Sequence, residues 1–207
     1  MSQPRTAEQR PRVAGAREEE ILEAAVTQLL EVGYDRLTMD RVADHAHASK
    51  ATLYRRWSSK QSLIVDALTR SHHAAETIEP PDTGSLRSDL LALFGGAGGI
   101  AGKAATGIFG MVITALQTDP EFAAEFRQKF LAPKLEVQQR IYQQAADRGE
   151  LAAGADPSLL GPALAGILLH RALALGEAIT PDLVERVVDQ IIVPAATGRP
   201  FTPQEHA

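Results

Sequence analysis

The 207-residue chain has no cysteine, so it can form neither a disulfide nor a thiolate metal site, and a reducing cytoplasm is the compartment that suits it. Aromatic residues make up only 5% of it, and alternating runs of Val, Ile and Thr are scarce, which removes the usual signals of a sheet. Long apolar runs are missing too. The most apolar tract, Leu159 to Ala174, is interrupted by Gly161, Pro162, His170 and Arg171, too short and too broken to span a bilayer. The N-terminus carries Arg and Pro without an apolar stretch, so no secretory signal is expected. One last absence is local: no acid falls between Asp44 and Asp66, where Lys50, Arg55, Arg56 and Lys60 all lie.

What is present points to helices. Ala and Leu are abundant, and the hydrophobic share of 44% is enough for a sizeable core. The net charge of -5 is unevenly spread. Residues 1–75 carry 11 basic against 10 acidic side chains, and residues 76–207 carry 10 against 16. A basic cluster on an acidic body is compatible with a nucleic-acid reader despite the acidic whole.

Residues 1–16, with Pro4, Pro11 and Gly15, read as a flexible arm. Its Arg5, Arg10 and Arg12 fit either a minor-groove contact or a plain disordered tail. A first helix is expected from about Arg17 to Val32, on the spacing of Ile21, Leu22, Ala25 and Leu29, with Gly33 as its stop. Thr38 can cap a second helix to about Ala46 and Ser49 a third to Trp57. Ser58, with Gln61 at capping-box spacing, opens a fourth to about Ala75. After a break at Glu79–Gly84, further helices are expected near 85–95, 104–117, 120–148, 157–178 and 181–193. Asp119-Pro120, Asp156-Pro157 and Thr180-Pro181 each place a capping side chain before a proline at the first helical position. The expected fold is all-α with about nine helices: a three-helix helix-turn-helix head and a helical-bundle body. The domains are an arm at 1–16, a head at 17–77 and a body at 85–195.

The second and third helices, joined by about three residues, match the helix-turn-helix, whose second helix enters the major groove. Leu53 and Trp57 share one face and suit the core. Lys50 with Tyr54, and Thr52 with Arg56, fall on other faces. Lys60, beside the free N–H groups of the next helix start, would form a phosphate site.

The segment LTMDRVADHAHASKATLYRRWSSKQSLIVDAL resembles the DNA-binding domain of TetR-family transcriptional regulators, and the resemblance covers about residues 17–77. It implies that Thr38, Ser49, Lys50, Ala51, Thr52, Tyr54, Arg55, Arg56 and Lys60 approach DNA. One departure stands out: the turn position usually held by glycine is His47, which tolerates positive φ better than most residues. The segment from Thr118 to Leu160 resembles the C-terminal ligand-binding and dimerisation domain of a TetR subgroup. That resemblance implies a homodimer on a palindromic operator, a cytoplasmic repressor released by a small-molecule effector, and no cofactor. The dimer face would draw on Leu164, Ile167, Leu168, Arg171, Leu175, Leu183, Val184, Val187, Val188 and Ile191, although part of this surface can pack within one subunit. Effector-lining candidates are Phe94, Phe109, Met111, Leu116, Phe126, Phe130, Tyr142 and His170, for each of which ordinary core packing is the plainer reading. The glycines between Gly95 and Gly107 each weaken a helix by roughly 1 kcal/mol relative to Ala, and suggest a mobile gate.

Other chemistries fail on the residues. In GGAGGIAGKAAT, Ala97 stands where a phosphate loop needs its first glycine and Ala104 where it needs a hydroxyl. His45, His47, His72 and His73 lack partners spaced for a metal, and no nucleophile–base pair is readable, so no enzymatic activity is expected. A DNA-binding regulator without a small-molecule ligand, and a helical module for protein or anionic lipid, are the alternative functions.

Overall fold

The computed structural model describes residues 10–72, 79–95 and 103–199, and the side chains of 15–71, 79–95 and 110–199. Among them there is no strand. The helices are α1 (Arg10–Val32), α2 (Met39–His45), α3 (Lys50–Arg56), α4 (Lys60–His72), α5 (Leu86–Gly95), α6 (Lys103–Thr118), α7 (Pro120–Glu125), α8 (Ala132–Asp147), α9 (Pro157–Ala174), α10 (Pro181–Val187) and α11 (Val193–Thr197). A π-helical turn, Phe126–Leu131, joins α7 to α8, and another, Val188–Ile192, joins α10 to α11. Each π turn is followed two residues on by a proline, Pro133 or Pro194. A proline inside a helix offers no N–H and crowds the carbonyl four residues back, and widening the preceding turn relieves both.

The chain divides into two compact units, and the division is not a single cut near residue 80. The first unit joins Met1–Ser71 to Met111–Lys129, and the second joins His72–Gly110 to Phe130–Ala207. In the first, α1 buries Ile21, Leu22, Ala25 and Leu29, α2 buries Val42 and Ala43, and α4 buries Leu63, Ile64 and Leu68. Val112, Ala115, Phe122 and Phe126 belong to the same unit and are buried as well. Trp57, 1% exposed, closes this core and satisfies its indole N–H on Asp66 at 2.9 Å.

The second unit's core is built on clean helical spacing: Leu86, Leu90 and Phe94 from α5, Val137, Ile141 and Ala145 from α8, Leu164, Leu168 and Ala172 from α9. Leu183, Val184, Val187, Val188, Ile192 and Ala196 complete it. Asp89 is fully buried here, a position that is unfavourable for a carboxylate unless its oxygens are paired. They are: the Thr83 N–H donates at 2.6 Å, the Thr83 hydroxyl at 2.7 Å, and Arg148 Nη2 at 2.8 Å. Arg148 also grips Asp82 and Glu150, and Glu150 accepts from the Leu86 N–H at 2.8 Å, so the start of α5 is tied to the end of α8.

Local expectations differ from this structure in a few places. α1 starts at Arg10, with Pro11 in its first turn where a missing N–H does no harm, so residues 10–16 are helical rather than an arm. The Arg5, Arg10 and Arg12 side chains lie outside the described residues. The cap of α4 is Ser59, whose Oγ accepts from the Ser62 N–H at 3.1 Å, and not Ser58. Of the glycine-rich stretch, Gly95 ends α5 and residues 103–107 are in α6, while 96–102 lie outside the described residues.

Candidate nucleic-acid interface

The α2–turn–α3 pair is set by three local devices. Thr38 Oγ1 accepts from the Arg41 N–H at 3.2 Å and starts α2. Ser49 Oγ accepts from the Thr52 N–H at 3.1 Å and starts α3. Between them the chain reverses on a Schellman turn: the Ala48 N–H donates to Ala43 O at 2.8 Å and the His47 N–H to Asp44 O at 3.1 Å. This geometry requires a left-handed residue, and His47 supplies it with φ of 50°, the one positive φ outside glycine among the described residues. The same pair of bonds closes α8, where Gly149 holds the corresponding place at φ of 73°. His47 therefore carries strain that glycine avoids, roughly 1 kcal/mol. Arg17 supports the turn by donating to His47 O at 2.5 Å.

On α3, Leu53 and Trp57 face the core, at 0% and 1% exposure. That orientation forces the rest outward. Ser49, Lys50, Ala51, Tyr54, Arg55 and Arg56 are exposed, as is Thr38 at the start of α2, and Thr52 is half-buried with its hydroxyl 2.8 Å from that of Ser49. Tyr54 is 53% exposed, a large surface to leave in water on a short helix. Hydroxyl, phenol and guanidinium groups displayed together on a capped helix are what reading base edges and holding phosphates needs.

The cations are not equally free. Lys50 Nζ lies 2.6 Å from Asp40, and that hydrogen bond raises the lysine's pKa. Arg56 forks onto Glu18 at 3.0 and 3.2 Å, with its pKa raised for the same reason. Arg55 has no such partner among the described residues. Asp40 and Glu18 are partners of these cations that sequence reasoning missed; the signal for them was a charge balance near zero over residues 1–75 despite the basic cluster.

Lys60 is engaged within the protein. Its ammonium donates to Tyr34 O at 3.0 Å and sits 4.2 Å from the Tyr34 ring centroid. Tyr34 is part of a second missed cluster. The Tyr34 hydroxyl donates to Asp119 at 2.7 Å, Gln61 Nε2 donates to the same oxygen at 2.9 Å, and the other oxygen takes the Phe122 N–H at 3.0 Å. The Tyr34 and Phe122 rings lie 4.8 Å apart. Burial and then the Asp119 bond raise the Tyr34 pKa, keeping the phenol protonated. Desolvation works against ionisation of Asp119, but the bonds from Phe122, Tyr34 and Gln61 outweigh it and hold the carboxyl below its usual range.

The expected dimer face divides. Leu164 and Leu168 on the inner side of α9, Leu183, Val184 and Val187 on α10, and Val188 in the π turn after it are buried in the second unit's own core. Ile167 and Arg171 are half-buried, and Leu175 and Ile191 are 55% and 46% exposed. The outer side of α9 displays Leu159, Pro162, Gly166, His170 and Leu173 instead. The effector-lining candidates scatter. Phe94, Phe130 and Tyr142 are buried in the second unit, while Met111, Leu116 and Phe126 belong to the first. His170 is exposed on the outer side of α9, contrary to a pocket role, and the Phe109 side chain lies outside the described residues.

A capped α2–turn–α3 pair with an anchored, polar-faced second helix defines a helix-turn-helix DNA-binding protein of all-α architecture. Residues 21–67 match the family described as bacterial regulatory proteins, tetR family, and residues 80–191 match the tetracyclin repressor-like C-terminal domain. An HTH-type transcriptional regulator of Mycobacterium tuberculosis (strain ATCC 25618 / H37Rv) is 38% identical over 181 residues, covering 87% of this chain and 88% of that protein. The DNA-binding transcriptional repressor TetR of Mycobacteroides abscessus is 35% identical over 84% of this chain and 90% of its own length. The crystal structure of the TetR family transcription regulator SCO0332 superposes with a TM-score of 0.65 at 30% identity, covering 85% of this chain and 96% of that one. The chain belongs to the TetR family of transcriptional regulators.

Proposed function

We propose that the protein is a cytoplasmic, homodimeric repressor that reads a palindromic operator through α3 and is released from it by a small molecule bound in its body. It acts by binding and not by catalysis. The observation that carries this reading is α3 itself, pinned by Leu53 and Trp57 and capped by Ser49, with Lys50, Tyr54, Arg55 and Arg56 displayed outward. Residues 17–77 serve as the head and 85–195 as the body, with 111–129 grouped with the head. The relative from Mycobacteroides abscessus, named a DNA-binding transcriptional repressor, supports the sign of regulation.

A second copy is the natural cover for the outer side of α9. By length and composition this 18-residue helix could cross a membrane, contrary to the expectation that the tract is too short, and only 22% of it is buried within the chain. Leu159, Gly166, Leu173, Leu175 and Ile191 would meet their mates across a two-fold axis, with Gly166 admitting close helix approach. Two reading heads on a two-fold axis match an inverted repeat one helical turn apart or a multiple of it.

The test is binding to operator DNA as a function of salt. A dimeric reader making several phosphate contacts loses about 10³-fold or more in affinity between 50 and 200 mM salt and retains preference for one sequence. Salt-insensitive or sequence-blind binding would overturn the reading, and a dimer that persists in the Leu159→Lys, Leu173→Lys double variant would overturn the assigned face.

A further inference from the structure

On α8, Lys134, Gln138 and Tyr142 recur at four-residue spacing and form one polar stripe on a helix whose neighbouring Val137, Ile141 and Ala145 are core. Such a stripe opposes the helix's own packing unless something pairs with it. The protein pairs only its middle. Gln138 donates to Gly161 O at 3.1 Å. Gly161 permits this approach, since a Cβ there would lie 3.1 Å from Gln138 Oε1 and 3.7 Å from the Tyr142 ring.

The two ends are left over. The Tyr142 side chain is 1% exposed, and its hydroxyl meets no hydrogen-bond partner among the described residues. A buried hydroxyl without a partner is unfavourable in a resting protein and calls for a reason. At the other end, the Lys134 ammonium is half-buried over the Phe130 ring, 4.9 Å from its centroid, and no carboxylate of the described residues pairs with it. Burial, with no acid opposing it, lowers the Lys134 pKa. Eight residues of helix set the two backbone positions about 12 Å apart.

We propose that this stripe is the effector site and that the effector is an elongated, amphipathic carboxylate: its anionic end pairs with Lys134, its apolar chain takes the place that Gly161 holds against Gln138 in this structure, and a second polar group at its far end pairs with the Tyr142 hydroxyl. A single ammonium beside an aromatic ring suits a carboxylate better than a phosphate, whose greater charge calls for several donors or an arginine fork. The inference rests on the effector-released reading given above and names the chemical class of that effector.

The experiment is calorimetric titration of the full-length protein with three probes of matched length: 10-hydroxydecanoate, decanoate and 1,10-decanediol. Binding should rank 10-hydroxydecanoate tightest, with the diol about tenfold to a hundredfold weaker, the effect of losing a charge-assisted hydrogen bond. Lys134→Met should abolish the advantage of the hydroxy acid over the diol, and Tyr142→Phe its advantage over decanoate. Because Tyr142→Phe also removes an unpaired hydroxyl, it should raise the melting temperature of the free protein. The probe ranking in the unmodified protein stands without either variant, and Lys134→Gln repeats the charge test if Lys134→Met misfolds. Equal binding of acid and diol, binding of none of the three, or an unchanged ranking in folded Lys134 variants would overturn the proposal. Operator release measured in parallel separates the two readings. Acids that bind without releasing DNA sustain the site and refute the effector-released repressor. Release by uncharged compounds alone, with no acid bound, does the reverse.

Discussion

Removing the Asp119 carboxylate should weaken the first unit more than any other single surface-reaching change. Asp119→Ala deletes the cap of α7, which is worth about 1 kcal/mol. It also strips the acceptor from Tyr34, whose 6% exposure leaves the phenol little water, and from Gln61. A buried donor left without its partner costs about 1–3 kcal/mol. These effects share one residue and do not add fully, and the carboxylate is itself partly solvated, so a total of about 2–3 kcal/mol is expected. Asp119→Asn keeps one oxygen for the cap, loses the acceptor of Tyr34 and Gln61, and should lose somewhat less than Asp119→Ala. Urea unfolding followed by Trp57 fluorescence measures both, since the indole lies in the same unit. The pH dependence carries a sign. Because the folded carboxyl titrates below its unfolded value near ~4, its contribution is complete above that value and fades as pH falls through the folded pKa. The gap between the unmodified protein and Asp119→Ala should therefore narrow on acidification. A loss below about 0.5 kcal/mol at pH 7, or a gap that widens at low pH, would refute the role given to this cluster.

Three other changes test neighbouring claims. His47→Gly should stabilise the protein by about 1 kcal/mol by relieving the left-handed strain, read as a higher melting temperature; a lower one would show that the imidazole contributes more than the strain costs. Lys60→Met should lower stability by about 1 kcal/mol through loss of its contacts with Tyr34, with little change in operator affinity, whereas a loss of affinity on every DNA with a shallower salt slope would restore its phosphate role. Asp40→Asn frees Lys50 from an intramolecular competitor and should tighten DNA binding about two- to tenfold at low salt; weaker binding would mean that Asp40 positions Lys50 for reading.

The parts of this molecule that could be read from the chain are those fixed by neighbours in sequence. The caps at Thr38, Ser49, Asp119, Asp156 and Thr180 all form, because a side-chain oxygen and an N–H two or three residues on need no tertiary context. The left-handed turn at His47 was legible for the same reason. Ser59 displaced Ser58 as a cap because two adjacent serines offer the same chemistry and packing chose the register. The bond from Lys60 to Tyr34 was not legible because Tyr34 stands 26 residues away, and Asp119 was read as a cap without its 85-residue reach to Tyr34. The dimer stripe was blurred for a different reason. On α9, apolar residues occupy both the inner and the outer sides, so helical spacing alone could not say that Leu164 and Leu168 pack inward while Leu159 and Leu173 do not. The two π turns had a signal in Pro133 and Pro194, but a proline reads equally well as a kink or a stop.

The most direct test of the central claim is selection of bound DNA from a random pool by the full-length protein. The account predicts an inverted repeat whose half-sites are centred about one helical turn, or a multiple of it, apart, with Lys50→Ala blurring positions within each half-site. Recovery of no preferred sequence, or of a single unpaired half-site bound by one copy of the chain, would contradict it.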